Sequence, residues 1–155
     1  MTFDIPKSLQ VEHEELHATL ARATKESGAV GEAAREVARY LHPHFVREEQ
    51  FALPPLALLA DVAAGSIRPE MAEVLPMTRR LKAELPAMLA EHKQIVAALE
   101  KLRAAARAAE RAEYERFAEA LVLHAQTEEQ VMYPAALLVG EQVARALKAD
   151  TFETT

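Results

Sequence analysis

The sequence has no cysteine and no tryptophan, only four glycines, and 5% aromatic residues. Without cysteine there is no disulfide, no thiolate nucleophile, no iron–sulfur cluster and no thiolate zinc site. β-Branched and aromatic residues, the usual strand formers, are sparse. No apolar run reaches the 18 or so residues needed to span a bilayer. The opening MTFDIPKS lacks the basic-then-apolar pattern of a secretory signal. Positive charge is also short: 18 Lys and Arg against 24 Asp and Glu leave a net charge of −6. A dedicated nucleic-acid surface needs the opposite balance. These absences lead us to expect a cytoplasmic protein, a monomer or small homo-oligomer, with no nucleic-acid and no membrane partner.

What is present points to helix. The 155 residues suit one domain with one core, taken as 1–155. Alanine, leucine, glutamate, lysine and arginine dominate, and these are the strong helix formers. Apolar spacing predicts a first helix from about Pro6 to Glu26 through Leu9, Leu16 and Leu20, stopped by Ser27 and Gly28. A second should run from about Gly31 to Phe51, with Pro43 kinking it or removing one bond and Pro54-Pro55 ending it. A short helix, Leu56 to Ala64, precedes a loop over Ser66 to Pro69. A third helix should run from Glu70 to Ala109, divided near its start by Pro76 and Pro86. A fourth covers Arg111 to Tyr133, with Phe117, Leu121 and Val131 inward and Pro134 interrupting it. A last short helix is expected between Glu141 and Ala149, then a frayed tail, DTFETT. Four amphipathic helices without strands predict an all-α, four-helix up-and-down bundle with short extra helices.

The chain also repeats itself. His44 to Pro54 and His124 to Pro134 both fit His-x-x-x-Glu-Glu-Gln, an apolar residue, two more positions, then Pro. Upstream of each copy stands a Glu-His pair, Glu12-His13 and Glu91-His92. His13 precedes His44 by 31 residues and His92 precedes His124 by 32. His13, His44, Glu48, His92, His124 and Glu128 all fall in the apolar stripes of their helices, on faces that must point inward. A buried, unpaired carboxylate costs several kcal/mol. Six such groups converging on one core need a shared compensation, and two cations would supply it.

The spacing suits two metals. A His and a Glu at i and i+4 project from one face, about 6 Å apart along the axis. The His can terminate one metal while the longer carboxylate bridges two. Four imidazoles and two bridging carboxylates then give each metal four protein donors. An oxo or hydroxo bridge would make five, leaving octahedral iron one open position. Mixed imidazole and carboxylate donors suit iron, with manganese or zinc ranking behind it. The expected cofactor is therefore a pair of iron ions, about 3.5–4 Å apart.

This constellation, His13, His44-x-x-x-Glu48, His92, His124-x-x-x-Glu128, resembles the hemerythrin HHE cation-binding family, whose hallmark is H…HxxxE…H…HxxxE on four helices. The resemblance spans about His13 to Pro134. It implies a non-haem di-iron centre that binds or reacts with a small ligand such as oxygen, nitric oxide or hydrogen peroxide, in sensing or in oxidative or nitrosative stress. It equally admits a metal-dependent oxidoreductase reducing peroxide or nitric oxide, or an iron storage or delivery protein. The oxygen-carrying members have a second His one turn after the third-helix His, where this chain has Val96, and a last carboxylate that is Asp rather than Glu128. The chain looks more like the symmetric bacterial members. A ferritin-like site would need Glu-x-x-His twice, and only Glu14-x-x-His17 fits.

Other residues have alternative readings. His17, one turn after His13, stands as an additional ligand, a hydrogen-bond partner to one, or a rim histidine. Tyr40, one turn before His44, would bond a ligand or simply fill the core. His42 is expected on the surface. Glu49 and Glu129, duplicated with the repeat, would orient imidazoles or sit as solvated charges.

Overall fold

A computed structural model of the chain describes residues 3–153. Its helices are α1 (Lys7–Thr24), α2 (Gly28–Arg47), α3 (Leu59–Ala63), α4 (Leu75–Ala108), α5 (Ala112–Thr127) and α6 (Tyr133–Glu153). No strand occurs among the described residues. α1 packs on α2, α2 on α4, α4 on α5 and α5 on α1, which closes a four-helix bundle. α6 continues along α4 and carries α3 and the 3₁₀ segments on its flank. No helix is long and apolar enough to cross a membrane among the described residues.

Pro43 was expected to kink its helix or remove one bond, and Pro86 to divide its helix; neither interrupts it. Pro43 lies inside α2 and Pro86 inside α4. Each removes one backbone donor, and the packed apolar face on the rest of its helix holds the run together. Pro76 sits in the first turn of α4, where no intrahelical N–H is needed. α4 accordingly begins at Leu75 rather than Glu70, with a 3₁₀ segment, Pro69–Val74, ahead of it.

The two repeat copies share a feature that periodicity did not reveal. Glu48–Ala52 and Glu128–Met132 are both turns of π-helix. The Leu53 N–H reaches the Glu48 carbonyl at 2.9 Å, and the Tyr133 N–H reaches that of Glu128. The cause lies in Pro54 and Pro134. In an α-helix each ring would meet the carbonyl four residues back, and each nitrogen lacks a donor. The wider π turn accommodates both. Its extra residue shifts the register, so Met132 turns inward and Val131, expected inward, is 58% exposed. Pro134 therefore does not end the helix, and the expected short helix from Glu141 is part of α6. The expected frayed tail is helical through Glu153, while Thr154 and Thr155 lie outside the described residues. In the first copy a second proline, Pro55, turns the chain into a 3₁₀ segment, Pro54–Leu58.

At the far end, Arg111 forks onto Glu26 with two bonds of 2.7 Å, and the Tyr114 hydroxyl donates to Glu26 at 3.1 Å. This ties the α1–α2 turn to the α4–α5 turn. The Arg111 guanidinium holds the Glu26 carboxyl below its ordinary range.

α4 and α6 approach closely at Gly140. A Cβ there would lie 2.7 Å from the Thr78 Cβ, and both residues are buried. Overpacking of this kind costs about 1–3 kcal/mol. Gly140→Ala should lower the unfolding free energy, read by chemical denaturation, by that amount, and adding Thr78→Ala should recover part of it by removing the Thr78 Oγ1, which would lie nearest the new Cβ.

Candidate metal centre

Two apolar clusters bracket a polar layer. One holds Leu41, Phe45, Ile95 and Leu121, and the other holds Phe51, Met88, Met132 and Tyr133. Between them lie the six side chains expected to converge. His13, His44 and His92 are each 2% exposed, and Glu48 and Glu128 are at 0% and 1%. His124 is buried as well. The i,i+4 spacing on α2 puts His44 Nε2 3.1 Å from Glu48 Oε1, and on α5 it puts His124 Nε2 3.5 Å from Glu128 Oε2. α4 brings His92 Nε2 3.5 Å from Glu128 Oε1 and 4.0 Å from Glu48 Oε1. α1 brings His13 Nε2 3.9 Å from Glu48 Oε2.

These atoms form two donor groups that could each hold a metal ion: His44, Glu48, His92 and Glu128, and His13, His124 and Glu128. Glu128 belongs to both. Several inward-facing atoms have no hydrogen-bond partner, namely His13 Nε2, His124 Nε2, Glu48 Oε2 and Glu128 Oε2. A fully buried polar atom left bare costs about 1–3 kcal/mol. Four in one layer, all good ligand atoms, fit cations and fit little else. His44 Nε2 also faces His92 Nε2 at 2.9 Å, a separation suited to sharing one ion.

The outward Nδ1 of every one of these histidines faces a carboxylate. Glu91 meets His44 Nδ1 at 2.6 Å and Glu129 meets His92 Nδ1 at 2.9 Å. Glu12 accepts from His124 Nδ1, and Glu49 stands 3.5 Å from His13 Nδ1. Carboxylates in this position fix the tautomer, leaving Nε2 free as a donor to metal. The repeat explains the pattern. Glu49 and Glu129 serve the first histidine of their own half. Glu12 and Glu91 serve the second histidine of the opposite half. The orienting reading of Glu49 and Glu129 is the one the geometry supports. The roles of Glu12 and Glu91 were missed, although their place in the repeat was the available signal.

Tyr133 was also missed. Its hydroxyl donates to Glu48, and lies 3.2 Å from His92 Nε2 and 3.5 Å from His44 Nε2. Its counterpart in the first copy is Leu53, so the repeat gave no hint. Tyr40 is not brought into the layer. It packs half-buried against the Phe45 cluster, with the Arg39 guanidinium 5.7 Å from its ring centre. His17 is half-buried and belongs to neither donor group; its ring meets Phe45 edge-on at 4.9 Å and His42 at 6.0 Å. His42 is exposed as expected.

The electrostatics are those of ligands holding protons. Burial acts against charge on His92, yet its hydrogen bonds to Glu128 and Glu48 push it up to about 10. His124 rises to about 9, again against burial, through Glu128 and Glu12. Burial and the neighbouring Glu48 push Glu128 up to about 7. Glu48 is held well below its ordinary range, against burial, by hydrogen bonds from Glu128, His44 and His92. His13 is lowered, chiefly by burial.

Comparison with known families agrees with this geometry. A family model described as the hemerythrin HHE cation binding domain matches residues 4–136, and again 84–151. The second match takes in the second copy of the repeat. No curated protein and no solved structure matches the chain.

Proposed function

This chain belongs to the hemerythrin HHE cation-binding domain family, and on that premise we propose that it holds two iron ions whose centre binds or reacts with oxygen, nitric oxide or hydrogen peroxide. The observation that carries this is the layer of unpartnered, buried donor atoms on His13, His124, Glu48 and Glu128. His44 and His92 would serve one ion, His13 and His124 the other, and Glu48 and Glu128 both. Iron would supply an open coordination position and a change of oxidation state.

The chain's own residues do the rest. Glu12, Glu49, Glu91 and Glu129 aim the imidazoles. Leu41, Phe45, Ile95 and Leu121 exclude water on one side. A cavity of ≈ 10 Å³ lies between these apolar walls and the donors His44, His92, His124 and Glu128. That is room for about one water-sized molecule, which favours a diatomic or peroxide over any larger substrate.

The test is the iron-to-chain ratio of purified protein, followed by its visible spectrum after adding each ligand. Two irons and a reversible charge-transfer band support binding. Steady consumption of peroxide or nitric oxide would move the reading to an oxidoreductase. Two irons and no response would leave storage or delivery, and a ratio that never exceeds one would sink the proposal.

Metal affinity should also climb with pH. His92, His124 and Glu128 carry raised pKa values of about 10, 9 and 7, so the metal-free site holds protons at neutral pH. A cation must displace them, and each proton released makes binding about tenfold tighter per pH unit. We expect at least a tenfold gain per unit from pH 6 to 8, flattening above the His92 value. Competition against a chelator of known affinity measures it, and a flat profile would mean that the donors are already deprotonated.

A further inference from the structure

Resting on the two-ion reading, we infer that the two positions differ in exchange: an outer ion at His13 and His124 trades with solvent through an acidic cavity, and an inner ion at His44 and His92 is retained. The sequence repeat is symmetric in its donors and asymmetric around them. Arg47 has Thr127 as its counterpart, Tyr133 has Leu53, and His17 has Val96.

Each difference protects the inner position or opens the outer one. Arg47 binds Glu91, the carboxylate behind His44, and lies 3.4 Å from the Met88 sulfur. Tyr133, 1% exposed, covers the inner donors, with its ring against His92 at 5.7 Å and its hydroxyl on Glu48. Among the described residues the outer histidines have no such clamp. Their partner carboxylates, Glu49 and Glu12, are each 46% exposed.

His13 itself lines a cavity of ≈ 720 Å³ beside Asp4, Gln10, Glu14, His17 and Glu49. Among the described residues, three carboxylates stand on its wall and no lysine or arginine does. One-signed charge in a concave site concentrates counter-ions, here cations. His13 Nε2 lacks a hydrogen-bond partner although the residue is 2% exposed. An unpartnered buried donor at the end of an acidic cavity is the terminus such a path requires.

The experiment loads the full chain with ferrous iron under anaerobic conditions and follows extraction by 2,2′-bipyridine, a neutral chelator. We expect two phases of one iron each, with rates differing by about tenfold or more, the size that outer hydrogen-bond partners typically confer. Protein emptied of its fast iron is then refilled with ferrous iron. The D4N/E14Q variant, altered only on the cavity wall, should refill several-fold more slowly at low salt. The difference should vanish at high salt, and the slow phase and iron capacity should not change. Loss of both irons at one rate, or refilling indifferent to D4N/E14Q, overturns the inference while leaving the two-ion reading intact. A chain that never holds two irons overturns that reading and this one with it.

Discussion

Replacing Glu128 with alanine should empty both positions together, taking iron from about two per chain to near none rather than to one. Glu128 is the one residue common to both donor groups. Its Oε1 faces His92 and its Oε2 faces His124, each at 3.5 Å. One carboxylate thus spans the gap between an inner and an outer histidine. Without it each donor group would lose an anionic ligand, and any ions held there would lose a shared negative charge. Glu128→Gln keeps the shape and removes the charge, so it should lose most of the iron while folding as the parent does. Glu129→Gln is the contrasting case. It touches only the outward Nδ1 of His92, and changes at such partners cost about 10- to 100-fold in affinity. It should retain two irons at saturating concentration. Iron analysis beside far-UV circular dichroism separates metal loss from unfolding. Retention of one iron by Glu128→Ala would mean that Glu128 serves a single ion.

The second large effect is on thermal stability. Several ligand atoms of the layer are buried without a hydrogen-bond partner, and ions that bind only the folded chain would stabilise it by mass action. At a free concentration a thousand times the dissociation constant this is about 4 kcal/mol per site. For a domain near this size about 1 kcal/mol moves the midpoint by about 2–4 °C. Two sites should therefore raise Tm by about 15–30 °C, and exhaustive chelation should return it. Differential scanning calorimetry of loaded, stripped and reloaded protein reads this directly. A midpoint unmoved by stripping would contradict a cation layer. Loading only the retained ion should give an intermediate midpoint, which links this measurement to the exchange experiment.

The sensitivity to Glu128 and the stability gain share one origin, the placement of ionisable groups between two apolar clusters. In water those groups would be solvated and the carboxylate an ordinary acid. Between Phe45 and Ile95 on one side and Met88 and Tyr133 on the other, the charged form of each depends on its neighbours. The raised Glu128 and the lowered Glu48 are two outcomes of one environment. Burial penalises both carboxylates, and hydrogen bonds from Glu128, His44 and His92 overcome that penalty only at Glu48.

By itself the sequence determined the helices, the duplication and the inward placing of His13, His44, Glu48, His92, His124 and Glu128. All three rest on local geometry. A residue's face on a helix follows from the 3.6-residue period, and a polar group in an apolar stripe stands out without knowledge of its neighbours. The π turns were not legible, because whether Pro134 ends a helix or is absorbed depends on what packs around it. That is why Val131 was placed inward and Met132 was not singled out.

Only the tertiary structure decided who faces whom. Glu12 meets His124 across 112 residues, Glu91 meets His44 across 47, and Tyr133 meets Glu48 across 85. Such pairings come from how helices lie against one another, and periodicity along one helix does not encode its neighbours' rotation. The difference in surroundings between the two donor groups is likewise tertiary. Arg47 and Tyr133 are ordinary residues in the sequence, and they become a clamp and a cover through the crossing of α2 with α4 and the passage of α6 beside them.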